Sequence, residues 1–171
     1  MIRGRVVYVI GVSGCGKSTV AAALAQQIGG VFLEGDEYQP PENVAAMSAG
    51  IPLTDQMRWG WMADLTAAAV SAAKEGQDVV VACSGLKRSY RDYLREKTGT
   101  CRMLFLNGTD ETIRTRMAAR KNHYMPPSLL DSQFATLEPP APDEKDVGHL
   151  DIEEPAKAVI ARAAAMAFPD H

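Results

Sequence analysis

Val6-Val7-Tyr8-Val9-Ile10-Gly11-Val12-Ser13-Gly14-Cys15-Gly16-Lys17-Ser18 is the stretch whose reading decides the fold of this 171-residue chain. The first five residues form an unbroken run rich in β-branched side chains, the pattern of a parallel strand buried on both faces, and predict the central strand of a sheet. After the loop, Val20, Leu24 and Ile28 recur every four residues among alanines until Gly29-Gly30 stops the pattern, which predicts a helix from Lys17 to about Ile28. Between the two lies Gly-x-x-x-x-Gly-Lys-Ser. In that context the glycines let backbone N–H groups approach phosphate oxygens, and the helix N-terminus favours their negative charge. Gly11, Ser13, Gly14, Cys15, Gly16, Lys17, Ser18 and Thr19 are therefore the expected contacts to ATP. Lys17 is expected to act in catalysis by reaching the β- and γ-phosphates, and the Ser18 hydroxyl to ligate Mg²⁺.

Working outward, strands keep alternating with helices. Val31-Phe32-Leu33 reads as a second strand running into Glu34-Gly35-Asp36, and Pro40-Pro41 precedes a helix over roughly 42–49. Thr54 and Asp55 cap a long helix through Ala73. Asp78 opens the strand Val79 to Cys83; a helix from Leu86 to Lys97 and a strand from Met103 to Leu106 follow. Helices over Asp110 to about Ala119 and near Ser128 to Ala135, a weak strand near Val147 to Ile152 and a terminal helix from about Glu154 complete the series. A βαβα series of this kind predicts an α/β doubly wound parallel sheet of five strands with helices on both faces. One domain, 1–171, accounts for the length.

Composition removes several function classes. The formal charge of −3 carries no basic footprint, so nucleic acid is not an expected partner. Any anionic substrate must then be gripped by locally clustered Lys and Arg. Cys15, Cys83 and Cys101 are odd in number and lack metal-ligand spacing, which points to a reduced, cytoplasmic setting. The apolar run after Arg3 and Arg5 is too short for a signal peptide or a membrane span, and no membrane partner is expected.

Three further clusters carry candidate chemistry. Glu34 and Asp36 fall at the carboxyl end of the second strand, where ligands of open parallel sheets bind. Asp36 is the expected catalytic acceptor of a substrate proton, and Glu34 the partner of the metal's water; the plainer reading of Asp36 is a turn residue. In Cys83-Ser84-Gly85-Leu86-Lys87-Arg88-Ser89-Tyr90-Arg91, a buried strand ends on small residues where many nucleotide hydrolases place an Asp. Its absence favours a small-molecule kinase using Asp36. Lys87 and Arg91, spaced i, i+4 on a predicted helix, form a pair able to grip an anionic, hydroxyl-rich substrate, or else a solvated basic face. Cys83 reads as a buried structural thiol. Arg116 and Arg120, again i, i+4, lead into the helix-breaking 121–127 stretch and suggest a lid over about 120–128. One could stack on adenine and the other, Arg120, stabilise the transferring phosphoryl charge; the plainer reading is a helix C-terminus matched to its own dipole. Trp59 and Trp61 flank Arg58 and either line the pocket or pack the helix, with packing favoured for Trp61.

These blocks together resemble the small gluconokinases, relatives of the shikimate and adenylate kinases. The resemblance runs from the phosphate loop through Gly50-Ile51-Pro52-Leu53-Thr54-Asp55 and Arg58, Cys83 to Arg95, Arg120-Lys121-Asn122-His123, and Ser132-Gln133-Phe134-Ala135-Thr136-Leu137-Glu138-Pro139. It implies a P-loop, nucleoside-monophosphate-kinase-like fold with a substrate-capping segment over about 37–60. It also implies transfer of the ATP γ-phosphoryl group to the 6-hydroxyl of D-gluconate, and a homodimer. By position it places Asp36, Arg58, Lys87 and Arg91 around the acceptor. Departures from the family pattern at Gln39, Ala46, Met57 and Gly60 all fall in the capping stretch. Two other readings stay open at this level: a kinase of another small anion, shikimate-like or a nucleoside monophosphate, and a regulatory ATPase module.

Overall fold

In the computed structural model, which describes residues 2–119 and 127–168, the phosphate loop hangs between a wholly buried strand and a helix, as its sequence requires. The strands are β1 (Val6–Ile10), β2 (Val31–Glu34), β3 (Val79–Ala82), β4 (Arg102–Asn107) and β5 (Val147–Asp151). They form one parallel sheet in the order β2-β3-β1-β4-β5. The helices are α1 (Lys17–Ile28), α2 (Pro41–Ser48), α3 (Asp55–Lys74), α4 (Arg88–Thr98), α5 (Asp110–Ala119), α6 (Pro127–Thr136) and α7 (Ala156–Ala167), with a 3-10 turn over Gly35–Tyr38. All five residues of β1 are buried, and since alternate side chains leave opposite faces, helices must cover the sheet on both sides. Helix α1 packs beside α7, and α3 beside α4.

Register decides what meets at the carboxyl end of the sheet. Glu34 pairs across from Ala82, which in turn pairs with Val9. The phosphate loop, the turn after β2 and the segment after β3 therefore leave the sheet at one level. The Gly11 amide donates to the Ser84 carbonyl at 3.1 Å, which ties the first of these loops to the third. Gly35 is required by crowding: a Cβ there would lie 2.2 Å from the Ala82 carbonyl oxygen. Gly16 is required by conformation, since it takes φ 97° as the residue before α1.

The expected helix from Leu86 starts later than its sequence suggested. Ser84 to Lys87 stay non-helical, and Lys87 is the cap residue at φ −97°, ψ 150°. Its side chain therefore does not share a helical face with Arg91. The other elements fall within one or two residues of their predicted limits, including α7, which begins at Ala156 after a turn that reaches Glu153.

Candidate active site

No side chain caps the N-terminus of α1, and no acidic residue occupies its first turn. Its first N–H groups are thus left for an anion, and the helix dipole adds to their pull. Lys17 folds back over the loop, its Nζ donating to the carbonyls of Gly11 and Val12 at 3.1 Å each. The Ser18 hydroxyl donates to Glu34 Oε2, while Glu34 Oε1 takes the Asp36 amide at 3.4 Å. A single carboxylate thus joins the end of the phosphate loop to the turn that carries Asp36. Trp61 holds that turn from the other side: its indole N–H donates to the Gly35 carbonyl at 2.7 Å, and the ring is 3% exposed. Trp61 meets both readings offered for it, packing in the buried core and also lining the cavity beside Arg58. Trp59 packs edge-on to Tyr90 at 5.5 Å and against Tyr93 at 5.3 Å.

Two adjoining cavities flank the loop. One is walled by Ser13, Lys17, Glu34, Asp36, Arg58 and Ser84, with Leu129 and Gln133 of α6 closing it. The other is walled by Gly14, Cys15, Gly16 and Thr19 on one side and by Arg116 and Ile152 on the other. Residue 13 therefore faces one chamber and residues 14–16 the next. Arg116 is steered to the second chamber by a hydrogen bond from its Nη2 to the Ile152 carbonyl at 2.8 Å. Arg120, together with residues 121–126 of the expected lid, lies outside the described residues.

Arg58 stands apart among the cations. It is 8% exposed and lies 5.2 Å from the Tyr90 ring centroid, yet no carboxylate bonds its guanidinium among the described residues, and its Nε is buried without a partner. A buried charge left in this state is costly unless a ligand completes it. Lys87 and Arg91 differ. Lys87 Nζ pairs with Asp55 at 3.2 Å, and the side chain is not part of the cavity wall. Tyr90 and Lys87 together hold the Asp55 carboxyl below its ordinary range.

Arg91 requires a correction to the sequence reading. It is 1% exposed, its Nε and Nη2 donate to Glu144 at 2.8 and 2.9 Å, and its Nη1 donates to the Gly85 and Leu86 carbonyls. Every nitrogen of the fork is used inside the protein. Position at a strand's carboxyl end suggested substrate contact, but the guanidinium turns inward to Glu144 and to the carbonyls of Gly85 and Leu86. Burial would raise the Glu144 carboxyl, yet the bonds from Arg91, the Ala141 amide and Arg95 outweigh it and hold the group at about 2. Cys83 is buried, and burial pushes its thiol up to about 12, consistent with a structural role.

The sequence reading missed Gln133 as a wall residue. It carried no charge and no metal-binding chemistry, and its only signal was membership of the Ser132 to Pro139 block.

The AAA domain family matches residues 6–140. The chain is similar to a probable gluconokinase of Schizosaccharomyces pombe, at 43% identity over 154 residues covering 86% of this chain and 80% of that protein. Among solved structures, a gluconokinase from Sinorhizobium meliloti 1021 superposes with TM-score 0.84 at 43% identity, covering 96% of this chain and 91% of its own. An unliganded sugar kinase from Janibacter sp. HTCC2649 gives TM-score 0.88 at 44% identity, covering 96% and 98%.

Proposed function

The chain belongs to the gluconokinase family and is an ATP-dependent enzyme that phosphorylates gluconate, and from that premise we propose how its two cavities divide the reaction. ATP occupies the chamber of Gly14 to Gly16, Thr19 and Arg116, with its γ-phosphate reaching past Ser13 and Lys17. D-gluconate occupies the chamber of Asp36 and Arg58. The observation that carries this division is Arg58, a buried guanidinium without a carboxylate partner among the described residues, facing a chamber that holds both an acidic side chain and the P-loop lysine. A sugar acid supplies the missing anion, and its far end is then directed at the γ-phosphate.

In this reading Asp36 accepts the proton of the 6-hydroxyl as that oxygen attacks the γ-phosphorus. The bond from phosphorus to the β–γ bridging oxygen breaks, ADP leaves, and 6-phosphogluconate remains. Lys17, released from the Gly11 and Val12 carbonyls, balances charge on the β- and γ-phosphates. The neighbouring Ser18 hydroxyl and Glu34 carboxylate form a hard oxygen pair at the head of α1, which fits Mg²⁺. The cation would neutralise phosphate charge when bound with ATP. Lys87 is left out of the contact set because Asp55 engages it. Residues 37–60 serve as the acceptor cap, and the stretch about 120–128, with Arg120, as the lid. The chain is proposed to act as a homodimer, as the family resemblance implies. The cytoplasm suits three buried cysteines, and no described helix is long and apolar enough to cross a membrane.

The test is Arg58→Ala. Its gluconate KM should rise at least about tenfold, the size of one lost charge-assisted hydrogen bond, with ATP KM near wild type. Equal loss for both substrates would overturn the division of chambers, and wild-type ATP turnover indifferent to gluconate would overturn the activity.

A further inference from the structure

Gln133 is the point at which helix α6 touches the phosphate loop. The Ser13 amide donates to Gln133 Oε1 at 2.7 Å, and Gln133 Nε2 lies 3.1 Å from Ser13 Oγ as its donor. One side chain thus reads both the backbone and the hydroxyl of Ser13, across 120 residues of sequence. Two bonds from a planar amide fix orientation as well as distance, which one bond does not.

Ser13 is a consequential residue to hold. It is the loop residue on the wall of the acceptor chamber, while Gly14 to Gly16 wall the adjoining nucleotide chamber. A phosphoryl group moving from one chamber to the other passes this edge. The C-terminal end of α6 is also anchored, at a residue five beyond Gln133. The Glu138 amide, just past the helix, donates to the Leu86 carbonyl at 2.8 Å, and Glu138 Oε1 accepts the Arg88 amide at 2.8 Å. The C-terminal half of α6 is therefore tied both to the phosphate loop and to the segment after β3, and its side chains at 129, 132 and 133 form part of the acceptor wall.

We propose that Gln133 is a positioning residue for phosphoryl transfer: by clamping Ser13, it sets the acceptor-side edge of the phosphate loop relative to the gluconate chamber. This rests on the assignment of the two chambers given above. Because the clamp grips the loop on the acceptor side, its loss misplaces the γ-phosphate against the attacking hydroxyl and leaves the nucleotide contacts of residues 14–18 standing. Misalignment of that kind lowers turnover far more than affinity.

The experiment compares wild type, Gln133→Ala, Gln133→Glu and Ser13→Ala, together with the Ser13→Ala/Gln133→Ala pair. Gluconate-dependent turnover, gluconate-independent ATP hydrolysis, ATP Kd without gluconate and melting temperature are measured for each. Gln133→Ala should lower kcat at least about tenfold, the equivalent of one good hydrogen bond, with ATP Kd within about threefold of wild type. The ratio of gluconate-dependent to gluconate-independent hydrolysis should fall with kcat. Gln133→Glu keeps an acceptor for the Ser13 amide but cannot donate to the hydroxyl, and sets a negative charge beside the phosphate path, so kcat should fall there too. The double variant should lose less than the sum of the two single losses, since both act through one contact.

Unchanged kcat in Gln133→Ala, ATP affinity lost in step with kcat, or fully additive losses would each overturn the proposal. A melting temperature lowered enough to explain the kcat loss would do the same. Failure of the wild type to respond to gluconate would instead overturn the chamber assignment, and the ATP Kd and hydrolysis measurements keep the two failures apart.

Discussion

Asp36 and Arg58 line the same chamber but obey different physics. Asp36 is exposed on the 3-10 turn, held there by Glu34 and Trp61 through backbone bonds that do not involve its own carboxylate. Removing its charge should leave the turn intact. Asp36→Asn is therefore expected to lower kcat by about 10² to 10⁴, the range of a lost general base, while ATP Kd stays close to wild type in a direct binding measurement. Parallel loss of ATP binding would show that the residue serves the nucleotide. Arg91 is the contrary case. Its fork is consumed by Glu144 and two carbonyls, so Arg91→Ala strips a buried carboxylate of its two-pronged partner, leaving it only Arg95 and the Ala141 amide, and should destabilise the fold by about 3–5 kcal/mol. For a domain of this size that is a fall of roughly 6–20 °C in Tm. Below the new melting point gluconate KM should be unchanged; a KM effect without a Tm effect would return Arg91 to the substrate.

At the scale of elements, the segment between α6 and β5 is stapled to α4 by ions. Arg95 bonds Asp146 and Glu144, Arg88 bonds Asp143, and Arg91 bonds Glu144. The Glu144 carboxyl is held at about 2, below its ordinary 4.5. A depressed acid stabilises the fold fully above its unfolded pKa and loses that contribution as pH falls from about 4.5 towards about 2. Urea unfolding at pH 5 and pH 3 should show wild type losing stability over this interval, with a shallower pH slope in Glu144→Gln, which is itself less stable at pH 5. Equal slopes would place the acid sensitivity elsewhere. This staple also explains why two helices were easier to predict than the loop between β3 and α4. The i, i+4 spacing of Lys87 and Arg91 suggested one shared face, but Lys87 stays outside the helix and turns to Asp55 while Arg91 turns inward to Glu144, partners 32 and 53 residues away in sequence.

At the scale of the whole molecule, parallel β1 flanked by β3 and β4 brings every functional loop to one end of the sheet. That arrangement needs only one chain for each pair of chambers. The proposed homodimer is checked by sedimentation equilibrium, where about twice the 18.4 kDa chain mass is expected and a single-chain mass would remove it. The alternation of strands with helices and the P-loop's place after the central strand were legible in the sequence. A continuous β-branched run, a glycine loop and a four-residue apolar period are local signals that hold whatever surrounds them. Asp36 and Arg58 were placed by resemblance, with the end of β2 as a local clue for Asp36. Gln133 was not found as a wall residue, since nothing in an uncharged amide announces the residue it will meet. Thus the sequence by itself determined the phosphate loop and the parallel sheet, because these rest on periodicity, backbone freedom at glycine and helix-end charge, all read within a few residues, while the family came from the resemblance of whole blocks along the chain. Only the tertiary structure decided which cations remained without a carboxylate partner. Pairing depends on distant segments packing together, and that left Arg58 facing the acceptor chamber while Lys87 and Arg91 were taken by Asp55 and Glu144.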